Sequence, residues 1–296
     1  MAAPPPGFSD HSVIRLDAAT VLLQWATGGL LFLWVTTRRR EVGIGYGWLM
    51  RGVFAAMAIG AVAAGGLLRS DTGREICAAL TALAALAALA VSVVRRKAGV
   101  AGERAREERV AARLHRSGDA ETPHGGLERH QNEFPPVLDA VAPIVGLVGL
   151  VFAGANAGGP HALAIGRTLV GAAFLGAVTD AMLLGHWYLV QPGLGRAPLL
   201  ELVRWAAIVW PFEIALLLWP PGMIRALTGR IDDGWDGTLS WFWVACAVTT
   251  IALTFVTRAA LKERAYSAVM AATGLLYLAI LTAFGTDLVA RAILAG

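Results

Sequence analysis

The sequence predicts an all-α fold, a polytopic integral membrane bundle of about eight transmembrane helices, and three observations carry that expectation. Of 296 residues, 56% are hydrophobic and only 16% charged, with a mean hydropathy of +0.60, whereas a soluble domain carries about a quarter charged residues. Stretches of about 18 to 25 residues almost without charge recur along the chain, the length an α-helix needs to cross the hydrocarbon core. The basic residues gather between those stretches, so the net charge of +4 and the pI near 9.5 serve topology and do not point to nucleic acid.

Taken in order, the first three spans read Thr20–Thr37, Gly45–Leu68 and Ile76–Val94, which define an N-terminal segment, residues 1–94. Arg38, Arg39 and Arg40 close the first span, and Arg95, Arg96 and Lys97 close the third. Residues 95–136 form the one long polar segment, a charged cytoplasmic linker. Its first half has mixed-sign pairs at helical spacing, and its second half, with Pro123, Gly125, Gly126, Pro135 and Pro136, reads as irregular. Five spans follow in residues 137–296: Val137–Asn156, Ala162–Val190, Ala197–Trp219, Thr238–Thr257 and Tyr266–Ile293.

Orientation follows from the charges. With Arg51 and Arg204 left out because they fall within spans, and with Arg167 and Arg291 counted at the span ends they adjoin, the loops after spans one, three, five and seven hold sixteen Lys and Arg, and the opposite side holds seven. The positive-inside rule puts both termini outside. The N-terminus lacks a basic region followed by a short apolar core and a cleavage site, so no removable signal peptide is expected. Tryptophans lie mostly near span ends, where amphipathic rings prefer the headgroup level. The runs Gly60–Gly66 and Ala78–Ala90 are rich in small residues, which permit close helix contact, and no convincing internal repeat is visible.

Ionisable residues inside a bilayer are costly and face a bundle interior, so each is a candidate site. Asp180 sits about ten residues, roughly 15 Å, from the cytoplasmic end of span five, and Arg204 about seven residues, roughly 10 Å, from the same end of span six. The short connection between these spans makes them antiparallel neighbours, so an Asp180–Arg204 ion pair is expected, either as a functional site or as a clamp between helices. Arg204 could instead snorkel towards Glu201. His186, the one histidine well inside a span, with Trp187 and Tyr188, lines either a headgroup-level pocket or an aromatic belt.

Glu213 follows Pro211, which frees a backbone carbonyl in span six, and it is read either as part of a proton path with Glu201 or as an acid in a wet vestibule. Asp232, Asp233 and Asp236 form a solvated outer turn with no EF-hand spacing. Thr273 and Tyr277 share a face of span eight, where helix–helix hydrogen bonding explains both, and Asp287 lies near its outer end.

Several chemistries are excluded. Cys77 and Cys246 have no metal-ligand spacing, and a bis-histidine haem needs two suitably placed imidazoles; His186 could ligate one haem only with another partner such as a Met. No Walker A, dinucleotide, HExxH or GxSxG motif occurs. No covalently bound cofactor and no metal are expected.

The first functional expectation is a haem-free, quinone-interacting membrane subunit of a respiratory electron-transport complex. In it Asp180, His186, Trp187, Tyr188 and Arg204 form a polar pocket between helices five and six, while Glu201 and Glu213 carry protons. Polysulfide-reductase membrane subunits offer an architectural analogy without a matching motif. The alternatives are a proton- or ion-coupled transporter and a membrane scaffold or assembly subunit. Expected partners are the lipid bilayer and other subunits of a membrane complex, and no nucleic acid. High Ala, Gly and Arg usage points to a GC-rich bacterial genome and so to the bacterial cytoplasmic membrane, with a multi-pass topology.

Overall fold

The computed structural model describes residues 17–95, 134–191, 194–263 and 265–295, all helical apart from their connections. The helices are α1 (Ala18–Thr37), α2 (Ile44–Leu68), α3 (Thr72–Val94), α4 (Leu138–Ala155), α5 (His161–Val190), α6 (Ala197–Leu218), the short α7 (Met223–Leu227), α8 (Thr238–Ala260) and α9 (Tyr266–Ala295). Seven of these are long and apolar enough to span a membrane on length and composition. The eighth expected span, α6, is diluted by Glu201, Arg204 and Glu213, but its 22 residues reach about 33 Å and it packs along its antiparallel neighbour α5. The expected linker at 95–136 lies almost wholly outside the described residues.

The polarity of the bundle is that of a protein dissolved in lipid. On α3 the inward row is Cys77, Ala78, Thr81, Ala82, Ala85, Ala88 and Ser92, while Leu80, Leu83 and Leu86 face outward. Small residues point inward because lipid supplies no hydrophobic drive for association, so helices are held by close backbone contact and hydrogen bonds. α1 and α5 are buried on nearly every face and form the central pair. At their crossing a Cβ on Gly176 would run into the backbone of Gly28, and one on Gly28 would meet the carbonyl oxygen of Ala172. Only glycine permits that approach.

The packing shows an organisation that the sequence does not display. α1, α2, α3 and α4 close a ring in which each helix packs on the next and α4 returns to α1; α5, α6, α8 and α9 close a second ring in the same order. The first two helices of each ring are joined by six residues, 38–43 and 191–196, and the third helix of each has 23 residues. Each half is thus a ring of four long helices, and the halves meet along α1, α4 and α5.

Helix starts are capped by acids. Asp17 accepts the Thr20 N–H at 3.2 Å, Asp71 accepts that of Arg74 at 3.2 Å, and the Glu75 carboxylate reaches back to the Asp71 N–H at 2.9 Å. Asp233 in the outer turn caps α8. Burial works against its ionisation, but the N–H groups of Ser240, Gly237 and Trp235 and the Ser240 hydroxyl outweigh it and hold its carboxyl down to about 2. Trp219, Trp235 and Trp241 are exposed around this end, as an aromatic belt requires.

Candidate functional site

The structure separates the residues that the sequence groups together. Asp180 is fully buried, yet its partner is Tyr46 of α2, whose hydroxyl donates to Oδ1 at 3.2 Å; Oδ2 has no hydrogen-bond partner among the described residues. Arg204 is exposed on the outside of α6, with no partner among the described residues, so the expected Asp180–Arg204 pair does not form. The rotation of α6 explains this, because Leu202, Val203 and Ala206 take its inward face and leave Arg204 to the surface. Arg204 does not turn to Glu201 either; that carboxylate pairs with Arg38 at 2.5 Å and Arg39 at 3.4 Å at the end of α1.

His186 is exposed on the outer face of α5, and its Nδ1 lies 3.0 Å from the Tyr277 hydroxyl of α9. Trp187 is half-buried, donates to Gln191 at 3.1 Å and lies 5.9 Å from the Tyr46 ring. Tyr188 is buried and donates to the carbonyl of Gly195. Among the described residues these side chains do not converge; they occupy the core, the lipid face and a turn. The Thr273 hydroxyl bonds Gly185 O across helices at 3.0 Å, as expected of that face.

Among the described residues, buried charges gather elsewhere, most fully in two clusters near opposite ends of the bundle. Near the Arg38–Arg40 end, Arg51 clasps Asp139 with Nε to Oδ1 at 2.6 Å and Nη2 to Oδ2 at 2.7 Å, and both side chains are 2% exposed. Thr37 donates to the same carboxylate at 2.8 Å, Ser92 accepts from Arg51 at 3.1 Å, and the Phe134 ring lies 4.4 Å from the guanidinium carbon. Every charged atom has a partner, so this is a clamp joining α1, α2, α3 and α4.

The second cluster lies towards the opposite end, where the halves meet. Arg291 of α9 donates from Nε to both oxygens of Asp287 at 2.9 Å, and from Nη2 to the carbonyl of Arg167 at 3.2 Å. Gln24 of α1 approaches Asp287 at 3.5 Å. The Arg167 guanidinium gathers the carbonyls of Leu216, Trp219 and Pro221 at 2.8 Å each, which closes the end of α6. Glu213 faces the carboxyl of Asp287 from α6, and neither of its oxygens has a hydrogen-bond partner among the described residues. Of the two readings of Glu213, the acid in a wet vestibule does not fit, because the residue is fully buried. Gly171 makes the space, since a Cβ there would meet Gln24, Asp287 Oδ1 at 2.8 Å and Arg291 Nη2 at 3.0 Å.

Arg291 also lines a cavity of about 430 Å³ that opens at the bundle end between the two halves. Asp17, Thr20, Arg69, Asp71, Arg74 and Thr168 contribute to its wall.

No family model, no curated protein and no solved structure matches this chain.

The site must therefore be read from its own chemistry. It comprises a polar vestibule, an arginine shared between vestibule and interior, and two facing carboxyl groups of which one lacks a donor. A second buried acid, Asp180, lies thirteen residues further along α5 than Arg167, about 20 Å towards the basic end. The sequence held one legible signal for this cluster, the i,i+4 spacing of Asp287 and Arg291. Arg167 and Asp139 fall at span ends, where they resemble ordinary interfacial charges.

Proposed function

We propose that this multi-pass membrane protein is a proton- or ion-coupled transporter whose path enters at the vestibule and uses the Glu213–Asp287 carboxyl pair as its proton-binding step. The observation that carries this reading is Glu213: a fully buried carboxyl with no hydrogen-bond partner among the described residues, near enough to Asp287 and Arg291 to feel both charges, Arg291 being part of the cavity wall. A structural acid in a bilayer is paired, as Asp139 is with Arg51; one left without a donor, beside another acid, is suited to taking up and releasing a proton. Polar groups gathered where the two rings meet support the same reading. Asp180, with one oxygen unpartnered, is the next proton site along α5, and Glu201, held by two arginines at the surface, has no part in the path.

Reconstitution into liposomes with a trapped pH dye and an imposed membrane potential tests the reading. Glu213→Gln and Asp180→Asn, which keep side-chain shape, are expected to slow proton flux about tenfold or more with insertion unchanged. Flux at the native rate in both variants would overturn it.

The exposed His186–Tyr277 pair favours a second reading, a quinone-interacting subunit. A quinone carbonyl arriving through lipid meets an imidazole and a phenol 3.0 Å apart on the bundle surface. An azidoquinone should then crosslink to the native protein and fail to do so in the His186→Ala variant; equal labelling of both removes this reading.

A further inference from the structure

We propose that the vestibule is a binding site for a small anion bearing a carboxylate or phosphate group, anchored by Arg291 and met at its rim by Arg69. The acids and bases of the cavity wall are not equally committed. Asp17 is occupied by the Arg74 guanidinium and by the N–H and hydroxyl of Thr20. Asp71 accepts from the Arg74 N–H and, at 2.7 Å, from Asn156. Both carboxylates thus serve helix starts. The cations have capacity left over: Arg291, 3% exposed, uses Nε and Nη2 in the interior while its Nη1 makes no hydrogen bond among the described residues. The exposed side chain of Arg69 likewise makes no hydrogen bond or ion pair among them.

The cavity therefore offers donors, and its volume of about 430 Å³ falls within the range of small-molecule sites. Planar guanidinium groups match carboxylate and phosphate oxygens better than they match chloride. The inference rests on reading the vestibule as the mouth of a path, and it gives that path a cargo. Behind the cavity, Arg167 and Arg291 stand beside Glu213 and Asp287. The anionic group could belong to a soluble anion or to the headgroup of an anionic lipid, since the cavity opens at the level where headgroups lie.

The test uses the full chain, delipidated in an uncharged maltoside detergent with no gradient present. In one arm the thermal unfolding midpoint is followed against sodium phosphate and sodium acetate, with sodium chloride at equal ionic strength as control. In the other, native mass spectrometry compares retention of phosphatidylglycerol and phosphatidylcholine. A saturable rise in midpoint with phosphate or acetate identifies a soluble anion, and selective retention of phosphatidylglycerol identifies a lipid. In either case Arg69→Ala should weaken binding about threefold or more and Arg291→Gln about tenfold or more. Should Arg291→Gln fail to fold, the exposed Arg69 decides alone. No saturable effect in either arm, or an Arg69→Ala affinity equal to native, overturns the inference. Absent binding with intact proton flux removes the anion and keeps the path; saturable binding without flux keeps the anion site and removes the path.

Discussion

Asp139→Asn is the sharpest probe of how the first ring is held. The substitution keeps shape and removes charge, leaving the Arg51 guanidinium, 2% exposed, without the carboxylate that now meets it at 2.6 and 2.7 Å. Ser92 still accepts one N–H, and the Phe134 ring still covers the cation, but neither supplies a negative charge. Removing one partner of a buried pair costs about 3–5 kcal/mol, or roughly two to nearly four powers of ten in the folding equilibrium. Replacing both, as Arg51→Met with Asp139→Leu, takes away the burial penalty along with the attraction and should cost no more than about 1 kcal/mol. The protein has its own reporters: Cys77 and Cys246 are free and buried, 8% and 6% exposed, so a thiol-reactive dye reads unfolding in detergent without added labels. A single substitution costing under about 1 kcal/mol, or a double variant as unstable as the two singles summed, would refute the reasoning.

Gly176→Leu should weaken the α1–α5 crossing by about 1–3 kcal/mol or prevent insertion, because its first added atom meets the Gly28 backbone; Gly274→Leu, with no atom within 4 Å of the new Cβ, should be close to neutral in the same dye assay. Asp233 makes the α8 start pH-dependent. Its carboxyl is held at about 2 in the folded chain, below the ordinary aspartate value of about 3.9. Its stabilisation is therefore complete above about pH 4 and is lost as the pH falls from there through about 2. Asp233→Asn should remove that acid dependence, read as acid-induced loosening of the 228–240 segment by hydrogen exchange, and an unchanged profile would show that the cap does not matter.

The helices were legible because the free energy of placing a residue in hydrocarbon is largely a local sum. A run of uncharged residues of sufficient length is a span whatever lies beside it. Thus the expected Thr20–Thr37 and Gly45–Leu68 match α1 and α2 to within two residues at each end. The span expected at Ala197–Trp219 likewise matches α6, although three ionisable residues dilute it.

Which buried charge meets which is not a local property. Asp180 finds Tyr46 across 134 residues, and Arg51 finds Asp139 across 88. Both choices depend on how far each helix is turned about its axis. That turn is set by small residues meeting across the bundle, Gly28 against Gly176 and Gly171 beneath Gln24, and no run along one strand of sequence encodes it. Composition and hydropathy were enough to make this chain a membrane bundle with acids and arginines inside; the mutual rotation of the packed helices sent Arg204 outward and brought Glu213, Asp287 and Arg291 together beside a cavity.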